Sequence, residues 1–286
     1  MSTASLCILA FALSSAQGNP PDEDIVTISN AKKDLNGFFI NEVRSSYQAN
    51  ATQIRVLLPD KLEQDKRYPV VYVLPVEAGN ENRFGDGLLE IKKQNLHNKF
   101  ASIYVAPTFS HLPWYADHPA KNDIGQETYF LKVVMPFIEK TYQVKSEASG
   151  RLLLGFSKSG WGAFSLLLRH PDLFGKAAAW DAPLMMVRPD RYGMGDIFGT
   201  QEHFEKYQIT KLLETQAGKF RKEKRLCLLG YGNFRDHHEK ADMLMTNLKI
   251  AHEYRDGFSR KHDWHSGWVA EAVEWLVAET EDSGKR

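Results

Sequence analysis

Gly155-Phe156-Ser157-Lys158-Ser159-Gly160 constrains the fold more than any other part of this 286-residue chain. The aliphatic run Leu152-Leu153-Leu154 leads into it, and Trp161 to Leu168 reads as a helix behind it. A strand, a tight turn with a central serine, and a helix together expose a hydroxyl above a sheet, beside the positive helix end. In such a turn strand and helix nearly touch two positions before and two after the serine, so both places need small residues. Gly155 and Ser159 meet that condition for Ser157. Around Ser159 itself, Trp161 would occupy the crowded flank. Ser157 is therefore the expected nucleophile. The plainer alternative is an ordinary turn whose serine only caps the helix.

The rest of the chain alternates apolar runs with helical spacing. Phe38 to Val43 and Thr52 to Leu58 read as two opening strands, paired antiparallel. Val70 to Leu74 and Ser102 to Ala106 are continuous apolar runs, as expected of strands buried on both faces. Leu88 to Asn98 can form a crossover helix, and Phe130, Val133, Val134, Phe137 and Ile138 lie at helical spacing within 127–142. After the serine turn come strands at 177–180, 226–229 and 253–255, with helices at about 238–250 and 268–278. Strands alternating with helices predict an α/β fold built on a mainly parallel, doubly wound sheet. The expected organisation is a leader over 1–16, a polar lead-in over 17–33, and one α/β domain over 34–280. That domain carries a weakly patterned insertion at about 183–222.

Lysine plus arginine and aspartate plus glutamate each number 36, so no global field favours nucleic acid or an anionic membrane. Leu6 to Leu13 is apolar but too short to span a bilayer, and Ser14-Ser15-Ala16 offers small residues for cleavage. This predicts a secretory signal and a secreted or periplasmic protein without stable membrane insertion. Removal of the leader takes Cys7 with it and leaves Cys227, set in an apolar run, as a core residue.

A serine hydroxyl needs a histidine to take its proton, and that histidine needs an acid to hold its tautomer. Among ten histidines, only those in Lys261-His262-Asp263-Trp264-His265 occupy a late loop just before the last helix. His262 is the expected base and His265 the alternative. A metal pair at these two residues lacks further ligands in the sequence, so no metal is expected. For the acid, Asp236 follows the Leu226 strand in the loop that begins Gly230-Tyr231-Gly232, where open α/β sheets bind ligands. Asp236 is the expected acid, and a cap for the next helix is its plainer alternative role. Asp181, just after the Ala177 strand, is the substitute.

An ester-cleaving site also needs two N–H donors for the developing oxyanion. Lys158, next after the serine, supplies one; Val76 or Glu77, after Pro75, supplies the other. Trp114, Tyr115 and Trp161 are the aromatic residues expected to touch substrate.

Tyr68 to Leu74, the serine turn with Arg169-His170-Pro171-Asp172-Leu173-Phe174-Gly175, and Lys261-His262-Asp263-Trp264 give the chain a resemblance over roughly 50–280. It resembles the esterase family of α/β-hydrolases that includes feruloyl esterases, S-formylglutathione hydrolases, enterochelin esterases and the antigen 85 mycolyltransferases. The resemblance implies an α/β-hydrolase fold and a carboxylic-ester hydrolase or acyl transferase without a cofactor, with His262 in the place of the family's catalytic histidine. Three places depart from the pattern: Ser159 replaces the second glycine, Pro75-Val76 stands where His-Gly is common, and Trp180-Asp181-Ala182 stands where Ser-Gly is frequent.

The expected function is a secreted serine esterase acting on a carbohydrate- or phenolic-linked ester through an acyl-enzyme on Ser157. An acyltransferase with the same intermediate and a catalytically silent binding module are the alternatives.

Overall fold

The computed structural model describes residues 26–230 and 232–278. The expected leader over 1–16 lies outside the described residues. Ten strands join one sheet: β1 (Val26–Ile28), β2 (Lys32–Lys33), β3 (Phe39–Ser45), β4 (Thr52–Leu57), β5 (Val70–Val73), β6 (Ile103–Pro107), β7 (Arg151–Phe156), β8 (Lys176–Trp180), β9 (Leu226–Leu229) and β10 (His252–Arg255). Their order is β1-β3-β4-β6-β5-β7-β8-β9-β10, with β2 paired to β3. From β6 to β10 every pairing is parallel, while β1, β3 and β4 add an antiparallel edge. The parallel α/β sheet expected from the sequence is thus present. Part of the segment read as a polar lead-in, β1 and β2, is itself in the sheet.

Period-two alternation divides the strand side chains between two cores. On one face Tyr72, Val105, Leu153, Ala177 and Leu228 pack with Phe130, Val133, Phe164, Leu167 and Met245. On the other Val71, Val73, Leu154, Ala178 and Leu229 pack with Leu88, Ile91, Trp268, Val273 and Leu276. Helices Lys158–Arg169 and Arg235–Asn247 therefore cover the first face, and Gly87–Lys93 and Val269–Val277 the second. Cys227 is free and buried in the second core.

Two expected elements differ in detail. The crossover helix expected over 88–98 divides into Gly87–Lys93 and Leu96–Lys99, because Asn95 turns left-handed at φ 56° between them. The 183–222 segment holds helices Gly195–Phe198, Gln201–Glu205 and Ile209–Gln216, which bury Phe198, Phe204 and Leu213 in the first core.

Candidate active site

β7 ends at Phe156 and the next helix begins at Lys158, so Ser157 makes the whole reversal. Its φ of 53° and ψ of −126° are a costly conformation for a residue with a side chain. The approach of strand to helix is so close that a Cβ on Gly155 would lie 2.1 Å from the Ser159 carbonyl oxygen. Ser159, where glycine is usual, closes the turn. Its Oγ donates to the Phe156 carbonyl and accepts the Phe156 N–H, both at 2.9 Å. The glycine of close approach lies one residue later: a Cβ on Gly160 would stand 2.8 Å from that of Ala182.

His262 Nε2 stands 3.1 Å from Ser157 Oγ, and His262 Nδ1 is hydrogen-bonded to Asp181 Oδ2. The imidazole sits among Phe156, Phe84 and Phe234, with ring centroids at 4.5, 5.5 and 5.8 Å. Its loop is tied down by Trp264 N–H to the Phe84 carbonyl (2.9 Å) and Trp268 Nε1–H to the Asp263 carbonyl (3.0 Å).

Asp181 follows β8 directly, fully buried, with φ 41°. Asn233 N–H and Phe234 N–H donate to its Oδ1 at 2.8 and 2.7 Å. Burial pushes the Asp181 carboxyl up, but His262 and the N–H groups of Asn233, Gly232 and Phe234 outweigh burial and hold it below the ordinary value. It is therefore an anion at neutral pH, aimed at the histidine.

Asp236 does not reach His262, and this corrects the expectation for the acid. It lies in the first turn of helix Arg235–Asn247, its side chain 61 % exposed, with Lys240 Nζ at 3.2 Å. The loop before that helix does serve the site, but through the N–H groups it offers to Asp181. The helix starts at Arg235, three residues earlier than hydrophobic spacing indicates, and Asp236 in its first turn faces outward.

His265 is engaged elsewhere, with Nδ1 2.7 Å from Glu90 Oε2 and Nε2 accepting the Asp86 N–H at 3.4 Å. The two histidines thus face different carboxylates. Among the described residues no group of three or more His, Cys, Asp or Glu is placed to hold a metal ion.

Trp114, Tyr115 and Trp161 are fully buried and line no part of the cleft at Ser157, contrary to expectation. Trp114 meets Trp161 edge-on at 5.5 Å, and both pack against Phe198 of the insertion. They act behind the wall. Trp114 Nε1–H donates to the Tyr192 carbonyl at 3.2 Å, and Tyr115 Oη donates to the Pro75 carbonyl at 2.7 Å.

Pro75 opens the loop expected to supply the second oxyanion donor. Among the described residues neither Val76 nor Glu77 donates its N–H to another backbone carbonyl, and Lys158 N–H, first in its helix, has no intrahelical acceptor. Val76 and Glu77 line a hollow of about 290 Å³ beside Arg55, Asp86 and Trp264.

Ser157 and His262 open on a separate cleft of about 550 Å³, walled by Arg83, Phe84, Leu112, Lys158, Tyr192 and Phe234, with Pro183 and Asn233. Sequence reasoning placed only Lys158 of these wall residues at the site. Tyr192 lies in the unpatterned insertion, and Arg83 and Phe84 in a glycine- and asparagine-bearing loop, where periodicity carries no signal.

The parallel sheet, the strained serine turn and the histidine within reach of both Ser157 and a buried aspartate define an α/β-hydrolase fold with a histidine-coupled serine. Residues 45–273 match the family described as "Putative esterase", and the chain belongs to that family. Esterase Rv1288 of Mycobacterium tuberculosis is 27% identical over 139 residues, 47% of this chain and 30% of that protein. Esterase MT1326 of the same species matches to the same extent. The chain spans about 30% of the length of these curated relatives. Among solved structures, a ferulic acid esterase is 21% identical with a TM-score of 0.65, covering 87% of this chain and 97% of that one. An S-formylglutathione hydrolase from Agrobacterium tumefaciens is 14% identical with a TM-score of 0.67, covering 87% and 98%. At these identities the likeness is one of fold.

Proposed function

We propose that the chain is a secreted serine carboxylic-ester hydrolase that works through an acyl-enzyme on Ser157. One observation carries this reading: His262 lies 3.1 Å from Ser157 Oγ while its other nitrogen is held by the buried Asp181. Ser157 Oγ attacks the ester carbonyl carbon as its proton passes to His262 Nε2. Asp181 keeps the Nδ1–H tautomer and balances the imidazolium. Lys158 N–H, with Val76 or Glu77 N–H, receives the oxyanion. Collapse breaks the bond to the alcohol oxygen, which departs with the proton from His262. Water then attacks the acyl-enzyme, gives its proton to His262, and releases the acid as Ser157 recovers its hydrogen.

Phe84, Tyr192 and Phe234 make the cleft suited to an aromatic acyl or alcohol group, and the ferulic acid esterase among the structural relatives agrees with a phenolic or carbohydrate-linked ester. Export is supported by the apolar run at 6–13 alone. Labelling with a fluorophosphonate tests the chemistry. A covalent adduct on Ser157, absent in Ser157→Ala, is expected. No adduct under conditions that label a known serine esterase would point to a binding module instead.

A further inference from the structure

The wall of the cleft is electrically one-sided. Among the described residues it holds two cations, Arg83 and Lys158, and no carboxylate. Arg83 is partly balanced, with Nε 3.4 Å from Glu77 Oε1 and its guanidinium over the Phe84 ring at 4.6 Å. Lys158 is not. It is half-buried, and among the described residues no carboxylate oxygen lies within ion-pair distance of its ammonium group. It also stands in the first turn of helix Lys158–Arg169, where the macrodipole disfavours a positive charge. Burial pushes its pKa down, the Glu77 carboxylate draws it back up, and Arg83 pushes it down again. Burial, dipole and a neighbouring cation thus all disfavour the positive charge of Lys158. A bound anion would offset them by direct charge attraction.

We infer that Lys158 and Arg83 form an anion subsite beside Ser157, so that the preferred ester carries a carboxylate or a comparable negative group within a few bonds of its carbonyl. This deepens the esterase reading and rests on it. Tyr192 and Phe234, edge-to-face at 5.9 Å, provide the apolar part of the same cleft. The substrate class is then an aromatic or apolar ester with one anionic end. A charge-assisted pair in a cleft partly shielded from water is stronger than the same pair in bulk solvent.

The test uses size-matched esters that differ only in charge. One pair places it on the acyl side: the 4-nitrophenyl half-ester of terephthalic acid and its carboxamide analogue. The other places it on the alcohol side: 4-acetoxybenzoate and 4-acetoxybenzamide. The wild-type protein is expected to favour the anionic member of one pair by about tenfold in kcat/KM, mainly through KM, with the preference shrinking at high salt. Lys158→Met and Arg83→Gln should each lower that ratio by about three- to tenfold, and Lys158→Arg should retain it. Comparing the ratio between proteins cancels the intrinsic reactivity of each ester. Equal rates within both pairs would overturn the subsite, as would a preference that survives both substitutions. So would a Lys158→Met variant slowed equally on charged and neutral esters, since that lysine would be serving the oxyanion of any ester. Failure of the wild-type protein to turn over any ester would defeat the esterase reading itself and the subsite with it.

Discussion

Asp181 and His262 lie 81 residues apart in the chain, and the buried carboxylate of the first holds Nδ1 of the second. The Asn233 and Phe234 N–H groups fix the carboxylate from the other side. The carboxylate paired with the histidine therefore comes from the end of the strand next to the serine strand, and the loop after β9 only supports it.

Asp181→Asn should lower kcat on a 4-nitrophenyl ester by about 10³- to 10⁴-fold, because an amide cannot hold the required tautomer or balance the imidazolium. Asp236→Asn should stay within about twofold of wild type, since its partner is the exposed Lys240. Steady-state kinetics on the two variants decide between the acids. The reverse ranking would return the role to Asp236.

Ser159→Ala should destabilise the protein by about 1–3 kcal/mol, because it strips the Phe156 N–H and carbonyl of the partner they share inside the core. Urea unfolding measures this. A change below about 0.5 kcal/mol would mean that the hydroxyl is dispensable to the turn. Gly155→Ala should be worse, since its Cβ would fall 2.1 Å from a backbone oxygen and force strand and helix apart.

Stability should fall as the pH drops from neutrality towards 4, in part through His238. Its ring is wholly buried and Nε2 accepts the Ala182 N–H at 2.9 Å. Burial pushes its pKa down to about 4 from 6.5, with Asp181 opposing and His237 reinforcing the shift. The unfolded chain therefore binds the extra proton between those values, so stability is full above 6.5 and is lost as the pH falls to about 4. The shift corresponds to about 3 kcal/mol at most. His238→Gln should flatten the pH dependence of the urea midpoint over that range. An unchanged slope would show that the ring titrates normally.

Tyr192→Ala should raise KM for a feruloyl ester about three- to tenfold relative to KM for an acetyl ester, because it removes one aromatic wall. If both KM values move together, the ring is acting on the cleft's shape and not on an aromatic group.

Much of the fold was legible because its signals are local. The buried runs at 70–74 and 102–106, the spacing within 127–142 and the small residues around Ser157 each report a constraint met within a few residues. Ser157 and His262 were readable on the same grounds, as a turn and as a late loop. Asp181 was legible only as a substitute, since any acid after a sheet strand fits the pattern and chain order cannot rank two of them. Trp114, Tyr115 and Trp161 misled because an aromatic residue in a loop after a sheet strand, or at the start of the serine helix, can face either cleft or core, and all three face the core. Arg83, Phe84, Tyr192 and Phe234 come from loops without periodicity.

By itself the amino-acid order determined that a parallel sheet would present Ser157 on a strained turn, because steric contact between neighbouring backbone segments admits only small residues there. Which carboxylate meets the imidazole, and which side chains surround it, was decided by the assembled structure. Those partners are set by where separate loops leave the sheet edge, and a helix beginning three residues early is enough to turn one aspartate to solvent and leave the other in place.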